Sequence, residues 1–130
     1  SHYDEEIANC GGIDLQILGL GSDGHIAFNE PHTSFASLTH IADLTESTIH
    51  DNSRLFNAVS EVPTKAVTMG LKSIMQAKKI VLIATGKNKA QAIKDLLEGP
   101  VTESVPSSIL QNHSDVTIYV DADAYSKIKR

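Results

Sequence analysis

The sequence GLGSDGHIAFNEP, residues 19–31, decides the fold, and it directly follows the apolar run IDLQIL, residues 13–18. The apolar run predicts a buried strand over residues 13–20, and the glycines predict a tight turn where this strand ends. Open α/β sheets bind their ligands at the carboxyl ends of their strands, in the loops that follow. The polar residues of this loop are therefore candidates for a functional site.

Three ionisable side chains lie close together in this loop: Asp23, His25 and Glu30. Two flanking carboxylates hold an imidazole in one tautomer and favour its protonated form near neutral pH. Such an imidazole can donate a proton to a substrate oxygen. A histidine in a turn more often caps a helix or bonds to solvent, but the density of polar residues around Ile26 and Phe28 favours a catalytic site.

Strand and helix patterns alternate along the rest of the chain. They predict further strands over residues 39–44, 66–70, 79–85 and 116–120, and helices over residues 3–10, 45–55, 71–77, 88–98, from Pro106, and from Asp121 through Lys127 and Lys129 to Arg130. This alternation predicts an α/β protein, a three-layer αβα sandwich with a mostly parallel, Rossmann-like sheet.

Composition narrows the classes of function. The chain has 130 residues, of which 41% are hydrophobic, and a net charge of −5, which argues against nucleic acid or an acidic membrane surface as the partner. No apolar run approaches the roughly 20 residues that span a bilayer. The single cysteine, Cys10, cannot form an internal disulfide, which predicts a cytoplasmic protein. The spacing of the other histidines predicts no metal site.

Residues 19–31 resemble the signature of the glucosamine-6-phosphate deaminases, also called isomerases. The part Gly-x-Gly-x-Asp-Gly-His is shared with the related 6-phosphogluconolactonases, whereas the continuation Ile-Ala-Phe-Asn-Glu-Pro resembles the deaminases. The resemblance implies conversion of glucosamine 6-phosphate and water to fructose 6-phosphate and ammonia, without a cofactor or metal. It implies that His25 protonates the ring oxygen, that Asp23 and Glu30 orient the imidazole, and that Glu30 helps ammonia to leave.

Two cations are candidates for binding the substrate phosphate. Residues 86–90, GKNKA, follow a strand and open a helix, where backbone N–H groups and a lysine can bind an anion, although a solvated lysine is equally compatible with the sequence. The deaminases have Gly-x-x-Lys-Ala here, and their phosphate-binding lysine matches Lys89. Arg54, in NSRLF, reads alone as a solvated arginine, but it matches the phosphate-binding arginine of the family's Asn-Ser-Arg-Phe run.

Two other functions remain open. A 6-phosphogluconolactonase uses the same Asp-Gly-His frame, but the following Asn29, Glu30 and Pro31 argue against it. A sugar-phosphate-sensing domain without catalysis usually loses the catalytic acids, which this chain keeps, and the sequence has no helix-turn-helix pattern for binding DNA.

The resemblance covers nearly the whole chain but only about half of a family member. The chain begins with Ser1 rather than methionine, and residues 1–130 are expected to be the C-terminal part of a single domain. The other half is expected to hold the enolising base, so this chain alone is expected to be inactive. An uncovered central strand predicts self-association, or disorder in the loop of residues 23–31.

Allosteric deaminases carry basic residues in the segment that matches residues 39–42. Here the segment includes His40 and Ala42. We therefore expect no activation by N-acetylglucosamine 6-phosphate.

Overall fold

This computed structural model describes residues 2–129, along which helices lie between most successive strands. The strands are β1 (Leu15–Leu18), β2 (His40–Asp43), β3 (Lys65–Thr68), β4 (Lys79–Ala84) and β5 (Val116–Val120). The α-helices are α1 (His2–Asn9), α2 (Glu46–Asn52), α3 (Leu71–Met75) and α4 (Ala90–Glu98). Each predicted strand is confirmed. None of the described helices is long and apolar enough to cross a membrane.

The main sheet is parallel and has the strand order β1-β4-β5. Its register aligns Ile17 with Val81 and Val81 with Thr117. Strands β2 and β3 form a separate antiparallel pair, in which His40 lies opposite Thr68. The α/β class with a parallel sheet is therefore confirmed, with an antiparallel ribbon inserted between β1 and β4.

The two faces of the main sheet differ in burial. One face carries Ile80 and Leu82, which are fully buried against residues of α3 and α4, among them Ile74 and Ile93. The opposite face carries Leu15, Ile17, Ile83 and Tyr119, which are 49–62% exposed. Residues 2–129 thus form two layers of the predicted three-layer sandwich, because no described element covers the second face.

The prediction of a C-terminal α-helix is wrong. Residues 122–127 form turns, although Asp121 does accept a hydrogen bond from the backbone N–H of Ala124, as a cap would. Only Tyr125 in this stretch of the described chain bonds four residues back, and the Ser126 hydroxyl occupies the carbonyl of Asp123. One such bond does not offset the cost of starting a helix. Arg130 lies outside the described residues.

Three other predicted helices change form along their length. Helix α2 ends at Asn52, and Ser53–Leu55 continue as a 3₁₀ turn that carries Arg54. Lys87–Lys89 form a 3₁₀ turn before α4, and Pro106–Asn112 form a 3₁₀ helix instead of an α-helix. A further 3₁₀ turn spans Val59–Glu61. The two candidate phosphate ligands, Arg54 and Lys89, therefore both lie on short turns.

Candidate active site

The loop after β1 is fixed to the end of β3 by hydrogen bonds. The side chain of Asn29 is fully buried, and its Nδ2 donates to the backbone oxygens of Ile26 (3.1 Å) and Met69 (2.8 Å). The backbone N–H of Phe28 donates to Oγ1 of Thr68 (3.0 Å). Because buried polar groups with partners rigidify their surroundings, these hydrogen bonds hold the backbone of the loop in place.

A second support comes from the segment after α4 and from the first turn of the Pro106 helix. The N–H of Ser107 donates to the carbonyl of Gly24 (3.0 Å), and the N–H of His32 donates to the carbonyl of Glu103 (2.7 Å). Gly24 has a φ of +88°, and a Cβ there would lie 2.9 Å from Cγ1 of Val105. A side chain at position 24 would therefore meet both backbone strain and a steric clash.

The structure brings the three predicted acid–base residues together. Nδ1 of His25 lies 2.6 Å from Oδ1 of Asp23 and 3.4 Å from Oε2 of Glu30. The backbone N–H of His25 also donates to Oδ1 of Asp23 (3.2 Å). The side chains of Asp23, His25 and Glu30 are 31%, 18% and 9% exposed. An ionised Asp23 only accepts hydrogen bonds, so Nδ1 carries the hydrogen and Nε2 remains for a ligand.

Gly21 provides the space in which the imidazole lies. A Cβ built at position 21 would overlap three ring atoms of His25, namely Cε1, Nδ1 and Nε2. The N–H of Gly21 also donates to the carbonyl of His25 (2.8 Å), which closes the turn. The second glycine of the motif is therefore required by the position of the His25 ring.

Glu30 is held by a residue that the sequence analysis did not single out. Oγ1 of Thr48, on α2, donates to Oε1 of Glu30 at 2.6 Å, and Thr48 is only 5% exposed. The two residues are 18 positions apart. Thr48 lies in a predicted helix whose N-cap is Thr45, but no local pattern indicates that its hydroxyl faces the loop after β1.

Two adjoining cavities lie on this side of the molecule, and His25 lines the first of them. The first has a volume of about 310 Å³ and is lined by His25, Phe28, Thr48 and Lys89, among others. The second, of about 620 Å³, is lined by Arg54 and again by Lys89. Lys89 therefore shares the first cavity with His25, whereas Arg54 lines only the second. Lys87 lines neither cavity.

The turn that carries Lys89 is held by Asp121. The N–H of Gly86, which has a φ of +94°, lies 3.1 Å from both carboxylate oxygens of Asp121, and the N–H of Ala124 donates to Oδ1 at 2.8 Å. The hydrogen bonds from Ala124 and from Gly86 hold the pKa of Asp121 below its usual value. Asp121, which the sequence predicts only as the start of a helix, thus also positions the end of β4.

The same acid–base cluster has donors that suit a metal ion. Among residues 2–129, one group of three possible metal ligands has all its ligand atoms within 4.8 Å of one another, namely Asp23, His25 and Glu30. A histidine binds a metal through a deprotonated ring nitrogen. Here Nδ1 makes a hydrogen bond of 2.6 Å to Asp23, which is the arrangement of a proton-transfer pair.

Both ring nitrogens of His113 face the backbone rather than the candidate site. Its Nε2 lies 2.6 Å from the carbonyl of Ala77, and its Nδ1 accepts from the N–H of Asp115 (3.0 Å). Both ring nitrogens are therefore occupied by the backbone, and His113 lines neither of the two cavities above.

The model of the family described as glucosamine-6-phosphate isomerases/6-phosphogluconolactonase matches residues 1–119. The chain belongs to this family. Within it, the chain is 58% identical over 126 residues to the glucosamine-6-phosphate deaminase of Mycoplasma mycoides, covering 97% of this chain and 52% of the relative. It is 62% identical over 116 residues to the deaminase of Lactobacillus johnsonii, covering 89% of this chain and 48% of that protein. The chain therefore spans about half the length of these curated relatives.

Solved structures of the family agree with this assignment. A monomeric glucosamine-6-phosphate deaminase of the NagB superfamily superposes with a TM-score of 0.94 and 46% identity, over 96% of this chain and 52% of that one. The 6-phosphogluconolactonase of Trypanosoma cruzi reaches a TM-score of 0.73 at 23% identity, over 99% of this chain and 50% of that one, which shows a shared fold.

Proposed function

We propose that this chain supplies the acid–base and phosphate-binding residues of a glucosamine-6-phosphate deaminase, a cytoplasmic hydrolase that converts glucosamine 6-phosphate and water to fructose 6-phosphate and ammonia. The observation that carries the proposal is the cluster of Asp23, His25 and Glu30 beside a cavity that Lys89 also lines. The relatives at 58% and 62% identity, named as deaminases, support this choice of reaction.

Opening of the cyclic sugar is assigned to His25. Its Nε2 donates a proton to the ring oxygen as the bond between C1 and that oxygen breaks. The hydrogen on Nδ1 stays on the ring because it is bonded to Asp23. After the transfer, the neutral imidazole therefore has a free lone pair on Nε2 and can accept a proton again. The carboxylates of Asp23 and Glu30, at 2.6 and 3.4 Å from Nδ1, orient the ring for this transfer.

Binding of the phosphate is assigned to Lys89 and Arg54. Neither cation forms an ion pair with another of the residues 2–129, so both are available to a ligand. The chain has a net charge of −5, so two cations that lack an acidic partner within residues 2–129 favour a site for an anionic ligand. Asp51, which lines both cavities, opposes the phosphate and lowers the net attraction.

The remaining steps need residues beyond this chain. Transfer of a proton between C2 and C1 requires a base, which we assign to the part of the family's length that the chain does not span. We propose that residues 1–130 are the C-terminal part of one domain, and that the other part covers the exposed sheet face of Leu15, Ile17, Ile83 and Tyr119. Without that cover, an apolar face of this kind favours self-association of the chain.

A protein of full family length tests the proposed reaction. In this protein, called the chimera below, the present chain replaces the matching region of the Mycoplasma mycoides deaminase, with which it aligns over 126 residues. We expect the chimera to release ammonia from glucosamine 6-phosphate and to leave 6-phosphogluconolactone at its uncatalysed rate of hydrolysis. Hydrolysis of the lactone without ammonia release would favour the lactonase instead. Binding of either sugar phosphate without turnover would favour a sensing domain.

A further inference from the structure

We propose that Thr48 is a positioning residue for Glu30, and that its hydroxyl sets which carboxylate oxygen faces the catalytic imidazole. Oγ1 of Thr48 donates to Oε1 of Glu30 at 2.6 Å, and Oε2 of the same carboxylate lies 3.4 Å from Nδ1 of His25. Oε2 accepts no hydrogen bond within the described chain. One oxygen is thus held by helix α2, and the other is left for the acid–base chemistry. This inference rests on the proposed function.

The direction of the hydrogen bonds around Thr48 is fixed by their chemistry. An ionised Glu30 can only accept, so the Thr48 hydroxyl must donate its single hydrogen to Oε1. The Thr45 hydroxyl, 3.1 Å away, must then donate to Oγ1 of Thr48, and it also accepts from the N–H of Thr48 (3.2 Å). The cap of α2 and the Glu30 carboxylate therefore form one ordered chain of hydrogen bonds.

Burial makes this hydroxyl hard to replace. The side chain of Glu30 is 9% exposed and Thr48 is 5% exposed, so water does not readily replace a missing donor. Without the hydroxyl, the buried Oε1 of Glu30 has no hydrogen-bond donor. Because an unpaired buried oxygen is costly, the carboxylate then rotates towards another donor. The nearest ionisable partner is His25, so Glu30 would then compete with Asp23 for the Nδ1 hydrogen. The imidazole would lose the single orientation that proton transfer requires.

Substitutions at Thr48 separate this role from packing. In the chimera, Thr48→Val keeps the shape of the side chain but removes the hydroxyl, and we expect kcat to fall about 10- to 100-fold with KM changed less than about 3-fold. Thr48→Ser restores the donor and should recover kcat to within about 5-fold of the parent. Since Thr48 also lines the first cavity, a role in direct binding would instead raise KM.

Thr33 offers a matched control. Its hydroxyl donates to the backbone carbonyl of Glu30 at 2.6 Å, the same length as the Thr48 bond, but does not contact the carboxylate. Thr33→Val should therefore leave kcat within about 3-fold of the parent. An equal loss of kcat in Thr33→Val and Thr48→Val would overturn the proposal, as would a Thr48→Ser variant no better than Thr48→Val.

A spectroscopic measurement keeps the inference separate from the reaction. If the unsubstituted chimera releases no ammonia, the proposed function fails, and the carboxyl ¹³Cδ resonance of Glu30 still tests Thr48. We expect this resonance to move in Thr48→Val and to stay near its original position in Thr48→Ser and Thr33→Val. An unchanged resonance in Thr48→Val would overturn the proposed positioning role whatever the reaction.

Discussion

Gly21→Ala tests directly whether Gly21 is needed to make room for the imidazole of His25, to which we assign the opening of the sugar ring. The added Cβ would overlap the ring of His25, while the backbone at this position lies outside the left-handed region and so tolerates alanine. The ring must therefore move, and its 2.6 Å hydrogen bond to Asp23 must break. The substitution thus acts through a side-chain clash alone.

The size of the effect follows from that displacement. A shift of about 1 Å in a catalytic group costs roughly 100-fold in rate, and we expect this loss in kcat for the chimera. Forcing an extra methyl group into a packed site costs about 1–3 kcal/mol of stability. The free energy of unfolding, from urea titration, should fall by that amount.

A double-mutant cycle identifies the cause. In a His25→Ala background there is no ring to displace, so adding Gly21→Ala should change the rate by less than about 3-fold and should lower the free energy of unfolding by much less than it does when His25 is present. Additive effects of Gly21→Ala and His25→Ala, on both the rate and the free energy of unfolding, would refute the role assigned to Gly21.

Three further predictions concern the phosphate site, the turn beside it and regulation. Lys89→Ala should raise KM for glucosamine 6-phosphate about 10- to 100-fold, the loss of one charge-assisted hydrogen bond, while Lys87→Ala should leave KM unchanged; steady-state kinetics of the chimera checks both. The pKa of Asp121 is lowered in the fold. Its ionised carboxylate therefore stabilises the folded protein fully above the unfolded pKa of about 3.9, and this stabilisation is lost as the pH falls through the lower folded pKa. Asp121→Ala should therefore be less stable at neutral pH, with a difference that shrinks below about pH 4 in urea unfolding. With His40 and Ala42 in the segment that is basic in allosteric deaminases, substrate dependence should be hyperbolic and unaffected by N-acetylglucosamine 6-phosphate; sigmoidal kinetics that this sugar phosphate abolishes would contradict this.

The acid–base cluster could be predicted because it is local in sequence. Asp23, His25 and Glu30 lie in one loop, and a tight turn brings such neighbours together. The strands of the main sheet are predictable for a similar reason, since each is a short, mainly apolar run. The separate pairing of β2 with β3 was not predicted, because alternation of strand and helix patterns does not specify which strands pair.

The supports of the site could not be predicted because they join distant residues. The contact of Phe28 with Thr68 spans 40 positions, and that of Gly86 with Asp121 spans 35. Asp121 shows the consequence. Its sequence context resembles a helix cap, but its carboxylate is shared with Gly86 and the predicted helix does not form. Thr48 is a similar case, since its partner Glu30 is known only once α2 is placed.

The most direct test of the central claim is ammonia release from cyclic glucosamine 6-phosphate by the chimera and by its His25→Gln variant. The account predicts release by the chimera and a loss of at least about 100-fold in His25→Gln, because glutamine cannot protonate the ring oxygen. Equal turnover by both proteins would contradict the role of His25 in opening the ring. Absence of release by the chimera, with the sugar phosphate still bound, would contradict the proposed deaminase itself.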